Sequence, residues 1–171
     1  VPFKDVYKTL KTDAGVERAF SKLDKLKPNL IWWEKGSQPP QLLASGEVAM
    51  TSAYNGRIDA ANKNDKKNLG IVWTNSLYTI DSWVIMKGSP NKAQAEQYIQ
   101  FVSLPENQKN LPTKITYGVT AKAATPMIDK AILPNLPTAP ENIATAIYLD
   151  EPFWAENLDK LNQRFNAWVA R

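Results

Sequence analysis

The sequence predicts an α/β fold built on a parallel sheet, and three observations predict it. Apolar residues recur at helical spacing in some stretches and collect in short runs in others. The two patterns alternate along the chain in the order helix, strand, helix, strand. Proline and glycine stand at most of the joints between them.

The first helix is predicted over Thr12 to Lys27. Val16, Phe20, Leu23 and Leu26 share one face, Thr12 or Asp13 serves as N-cap, and Pro28 stops it. Leu30-Ile31-Trp32-Trp33 is a short apolar run suited to a buried strand. After Pro39-Pro40 a short helix, Gln41 to Ser45, is closed by Gly46. Glu47 to Tyr54 follows as a strand centred on Val48-Ala49-Met50. Arg57 to Asn64 reads as helix, Lys66 to Gly70 as a turn, and Ile71-Val72-Trp73 as a strand. Another strand, Ser82 to Met86, ends at Gly88. Pro90 opens a helix expected to bury Ala93, Tyr98, Phe101 and Val102, and Pro105 starts a shorter one to Leu111. Pro112 to Pro140, rich in Pro, Thr and Ala, reads as extended connections with short helices. Leu158, Leu161, Phe165 and Trp168 mark one face of a last helix running nearly to Arg171.

Composition narrows the function classes. The chain has 171 residues, 43% of them hydrophobic, and no apolar run approaches the roughly 20 residues that cross a bilayer. Cysteine and histidine are both absent. That removes disulfides, thiol nucleophiles, cysteine- or histidine-ligated zinc and Ser-His-Asp triads. The net charge is +4, densest at Lys63, Lys66 and Lys67, but Asp65 interrupts this patch and no aromatic is interleaved. A solvated loop explains it better than a nucleic-acid surface. Val1-Pro2-Phe3-Lys4-Asp5 has none of the marks of a signal peptide and reads like the inside of a domain, so the start of the natural chain is expected to lie elsewhere.

Two stretches carry candidate chemistry. In Met50-Thr51-Ser52-Ala53-Tyr54-Asn55-Gly56-Arg57 a strand ends in an aromatic, an amide and a glycine just before a helix. Open α/β sheets present ligands with such strand ends. Tyr54 is therefore either a ligand contact or a half-buried tyrosine in a capped loop. In Leu77-Tyr78-Thr79-Ile80-Asp81-Ser82-Trp83 a carboxylate sits among aromatics at the mouth of an apolar strand. Such a charge seeks a cation: an amine ligand, also held by cation–π contact with a ring such as Tyr78, or an internal Lys or Arg, which is the favoured reading. A carboxylate hydrolase would draw on Asp150, Glu151, Glu156 and Asp159 near Trp154, although a helix start explains these acids better. Tyr54, Tyr78 and Tyr117 as ferric-ion ligands form a further alternative.

Leu43-Ala44-Ser45-Gly46-Glu47-Val48-Ala49-Met50 leading to Ala53-Tyr54-Asn55-Gly56 resembles the family-1 extracellular solute-binding proteins. Asp81-Ser82 and its apolar strand, Asn91 to Val102, Leu104-Pro105-Glu106-Asn107 and Ile115-Thr116-Tyr117-Gly118-Val119-Thr120 resemble the polyamine-binding branch, the spermidine/putrescine-binding proteins. The resemblance runs from about Gly15 to the last helix. It implies a type II periplasmic-binding-protein fold of two α/β lobes closing on ligand. Residues 1–78 would belong to the second lobe, 79–117 to a crossing strand and part of the first, and 118–171 to a return to the second. The opening half of the first lobe would then be absent, leaving the Ser82–Met86 strand and the Pro90–Val102 helix without partners, in a truncated or proteolysed chain or one that exchanges segments with another.

The resemblance also implies a function: the periplasmic component of an ABC importer, capturing a small cation such as putrescine or spermidine, with the transporter's membrane subunits as partner and no cofactor. Asp81 would hold the ammonium group. Tyr54, Tyr117 and Trp154, with Tyr78 and Thr79 at the crossing, would line the site. Thr79 stands where the family has an aromatic, and Ala155 where it has an amide.

Overall fold

Thr12 sets the first long helix. In the computed structural model, which describes residues 1–171, its Oγ1 accepts from the Gly15 N–H at 3.0 Å and donates to the Thr9 carbonyl at 2.8 Å. One hydroxyl thus caps a helix and ties it to the preceding turn.

The helices in chain order are α1 (Val6–Leu10), α2 (Asp13–Leu26), α3 (Gln38–Ala44), α4 (Asn55–Asn64), α5 (Lys92–Ser103), α6 (Pro105–Gln108), α7 (Pro140–Ile143) and α8 (Glu151–Val169). Regular strand is confined to two dipeptides, β1 (Leu77–Tyr78) and β2 (Ile147–Tyr148). Helix α2 matches its predicted bounds. Helices α3 and α4 start two or three residues earlier than expected, because Pro39 and Pro40 fit a first turn and Tyr54 supplies an extended N-cap. Gly46 closes α3 at φ 74° and Gly88 ends the 82–86 run at φ 83°, both conformations that favour glycine.

The chain divides into two compact units. The first comprises Val1–Leu30 and Ile147–Arg171. Asp150 caps α8 by accepting from the Phe153 N–H at 3.0 Å. Phe153 is fully buried, edge-on to Tyr7 at 5.2 Å and to Trp154 at 5.3 Å. At the other end of α8 the indole N–H of buried Trp168 donates to Asp24 at 2.6 Å. The Lys27 ammonium lies 4.7 Å from that ring and donates to the Trp168 and Val169 carbonyls, where a cation suits the helix dipole.

The second unit is Ile31–Ala146. Its core cluster is Val119, Ala124, Ile128 and Leu136, in the Pro-rich stretch. Buried Asn142 fastens this stretch by donating to the Pro134 and Leu136 carbonyls at 3.0 and 2.8 Å. Gln108 of α6 accepts from the Thr120 and Ala121 amides.

The predicted strands at Leu30–Trp33, Glu47–Tyr54, Ile71–Trp73 and Ser82–Met86 form no ladder. Their apolar side chains are correspondingly open: Met50 is 85% exposed, Val72 84% and Met86 76%. The expected burial by α5 is also corrected. Ala93 is exposed, Tyr98 is 51% and Phe101 59% exposed, and Val102 is half-buried. Trp83 meets Tyr98 edge-on at 5.3 Å, but nothing in this unit covers the rest of that face.

Candidate functional site

The first turn of α4 gathers two of the candidate residues, Tyr54 and Tyr117. Tyr54, 60% exposed, occupies the N-cap position, and its carbonyl accepts from the Arg57 and Ile58 amides at 2.9 and 3.4 Å. Its ring stands edge-on to Trp33 at 6.3 Å. The Trp33 indole N–H donates to Ser52 Oγ at 3.2 Å, so the Trp33 segment and the 51–54 segment are joined at this point.

Tyr117 reaches the same turn from a distant part of the sequence. Its half-buried ring lies against Gly56, where an added Cβ would fall 2.8 Å from the ring. The preceding residue, buried Thr116, is held twice by α4. Asn55 Nδ2 donates to the Thr116 carbonyl, and the Thr116 hydroxyl donates to the Asp59 carboxylate. Lys63 pairs with Asp59 at 2.8 Å. Burial would raise the Asp59 carboxyl, but the hydrogen bonds from Lys63 and Thr116, with the Lys63 charge, hold it below its ordinary range.

Asp81 and Thr79 lie on the exposed extended segment after β1. The favoured expectation for Asp81, an internal Lys or Arg partner, is corrected: its carboxylate enters no ion pair or hydrogen bond. Exposure to solvent weakens the electrostatic need for one. Tyr78 is half-buried within β1. Trp154 belongs to the other unit, where its indole N–H donates to the Tyr7 hydroxyl at 3.0 Å. The structure therefore brings Tyr54 and Tyr117 to one helix end. It commits the polar edge of Trp154 to an internal bond.

Asn55 and Arg57 stood in the candidate stretch without a role assigned to them, and Asp59, one turn further along α4, lay outside it. Arg57 is the one arginine of residues 31–146, is exposed, and makes no ion pair. Its position directly after Tyr54-Asn55-Gly56 was the available signal. The hydrolase alternative finds little footing. Asp150 is a helix cap, and the cavity beside it in the first unit, about 40 Å³, is lined by Asp13 as its single acid. Drug-sized ligands occupy sites of roughly 300 Å³ or more. Lys63 of the basic patch faces Asp59, and Lys66 sits in a turn at φ 53°.

Comparisons with known proteins agree on one family. Residues 1–139 match the family described as bacterial extracellular solute-binding protein. The gamma-aminobutyric acid-binding protein of Pseudomonas aeruginosa is 51% identical over all 171 residues, which make up 48% of its own length. Among solved structures, the PBP MotA from A. tumefaciens B6 in complex with glucopine is 28% identical, with a TM-score of 0.80 over 98% of this chain and 53% of that one. The Atu4243 GABA receptor is 28% identical, with a TM-score of 0.79 over the whole of this chain and 51% of that one. The chain thus spans about half the length of these relatives. Their likeness places it in the α/β class that the alternation of elements predicts, with the periplasmic-binding-protein-like fold that the resemblance implies. On the match over residues 1–139 and the 51% identity, the chain belongs to the bacterial extracellular solute-binding proteins, a family of binders and not of enzymes.

Proposed function

We propose that this chain contributes the capturing surface of a periplasmic solute-binding component of an ABC importer, and that its solute is a small zwitterion of the GABA type. The observation that carries the reading is the place of Arg57, the one arginine of residues 31–146, exposed and without an ion pair at the turn that gathers Tyr54 and Tyr117. Asp81, on the exposed segment after β1, is likewise without an internal partner. GABA has an ammonium group and a carboxylate at its two ends, so it asks for one anion and one cation. In this reading Asp81 takes the ammonium, Arg57 takes the carboxylate through its planar fork, and Tyr54 and Tyr117 flank the methylenes. Tyr78 and Thr79 remain candidates for the rim of that surface.

The polyamine assignment receives no support from the relatives, two of which are named for GABA and one of which holds glucopine. A polyamine has no carboxylate and would meet repulsion from Arg57, so this arginine selects against it. The membrane subunits of the importer are the proposed partner. The lobe assignment, 1–78, 79–117 and 118–171, stands as part of the same proposal.

Calorimetry of the protein with GABA, putrescine and spermidine tests the reading. GABA is expected to bind and the amines to be weak or silent. Asp81→Asn and Arg57→Ala are each expected to weaken GABA by about 10- to 100-fold, the worth of one charge-assisted hydrogen bond. Heat with putrescine and none with GABA would overturn the zwitterion reading.

A further inference from the structure

We propose that the first two turns of α4 are a positioning device for Tyr117, with Gly56 giving the ring its seat and Asn55 and Asp59 fixing Thr116 beside it. The proposal deepens the ligand reading above and rests on it for its consequence in binding, though not for its geometry.

Asn55, Asp59 and Lys63 recur every four residues on α4 and so form one column along the helix. Two of the three grip the same residue. Asn55 takes the Thr116 carbonyl and Asp59 its hydroxyl, while Lys63 keeps Asp59 charged and in place from behind. Thr116 has both its hydroxyl and its carbonyl engaged and is 4% exposed, so its backbone has little freedom. The next residue is Tyr117. Its ring reaches the column's open edge at Gly56, with Cε1 at 2.8 Å, Cζ at 3.3 Å and Ile115 Cγ1 at 3.4 Å from where a methyl would stand. Cζ bears the hydroxyl, so any side chain at position 56 displaces the polar end of the ring.

The other flank is closed as well. The Val119 amide donates to Thr138 Oγ1 at 3.3 Å, and a Cβ at Gly118 would fall 2.3 Å from Thr138 Cγ2. The backbone is therefore held on both sides of Tyr117, and displacement from Gly56 must be taken up by the ring. Asn55, Asp59 and Thr116 are positioning residues here: they act on a ligand through Tyr117.

The test uses protein labelled with 3-fluorotyrosine, in which Tyr117→Phe identifies the Tyr117 resonance. Gly56→Ala and Thr116→Val are expected to move that resonance and to weaken GABA by about tenfold, within the range of coupling between touching residues. Thr116→Ser keeps the hydroxyl and should restore both. In a Tyr117→Ala background, Thr116→Val should cause no further loss of affinity. A Tyr117 resonance unmoved by Gly56→Ala and Thr116→Val, or a loss of affinity from Thr116→Val undiminished by Tyr117→Ala, would overturn the proposal. Should the parent protein bind no GABA, the zwitterion reading fails by itself, and the fluorine resonance still decides the positioning.

Discussion

Leu136→Ala is expected to be among the most damaging single changes in residues 31–146. The side chain is fully buried and packs with Val119, Ala124 and Ile128, with Ala121, Ile132 and Leu133 around them. Three carbons leave on truncation, a transfer loss of about 2.4 kcal/mol at about 0.8 kcal/mol each. The hole has little chance to close, because the Leu136 carbonyl accepts from Asn142 at 2.8 Å and its amide donates to the Leu133 carbonyl at 3.1 Å. A residual cavity adds roughly 1–2 kcal/mol, for a total of about 3–4 kcal/mol. In a chain of this length that lowers Tm by about 6–16 °C. Urea unfolding followed by far-UV circular dichroism should show a lower midpoint at unchanged slope. Leu136→Met, which conserves volume, should cost less than about 1.5 kcal/mol. A loss below about 1 kcal/mol for the alanine variant, or equal losses for both, would refute the reasoning.

Two other substitutions follow from single contacts. Gly15→Ala would ordinarily gain about 1 kcal/mol of helix propensity, but its methyl would stand 1.9 Å from the Thr9 carbonyl oxygen. A net loss in urea unfolding is expected, since overpacking costs about 1–3 kcal/mol and here α1 must move off α2; a stabilised variant would show that corner to be pliable. Asp59 is held below its ordinary range, so its bonds to Thr116 and Lys63 stabilise the fold above the unfolded value of about 3.9 and lose that effect as pH falls through the folded value beneath it. Asp59→Asn should cost about 1.5–3 kcal/mol at neutral pH, with the gap to the parent beginning to close only as pH falls below about 4; a gap that stays constant down to about pH 2 would exclude this linkage.

What was legible in the sequence was local. Helices α2, α4 and α8 were readable because period and punctuation lie within each segment, and because Thr12 and Asp150 cap helices through their own side chains. Strands are a different matter, because an apolar run becomes a strand only when another segment offers a ladder. Val48-Ala49-Met50 and Ile71-Val72-Trp73 find none, so β-propensity there has no ladder to join. The tightest core escaped notice for a related reason. Ala124, Ile128 and Leu136 lie among short turns and prolines that impose no repeating period on their side chains. Among the candidate residues, Tyr54 was drawn from its neighbours at an expected strand end, and Tyr117 from the family resemblance. The bond between Thr116 and Asp59 joins residues 57 apart, and no local pattern announces it.

Asp81 tests how far a charge can be read without its surroundings. In sequence, an acid between Ile80 and Ser82 at the head of an apolar run looks buried, and a buried charge requires a partner. In the structure the segment is open and the carboxylate is solvated, so neither an internal partner nor a desolvation cost accounts for it. That changes what its removal should do. A structural acid would betray itself by a loss of stability when neutralised, whereas an exposed and unpaired one should leave unfolding within about 0.5 kcal/mol of the parent. Asp81→Asn therefore separates the two roles when melting and GABA titration are made on the same sample. A lost affinity with an unmoved melt assigns the charge to the solute. A shifted melt with affinity intact assigns it to the fold and leaves Arg57 as the one ionic anchor for which the zwitterion must answer.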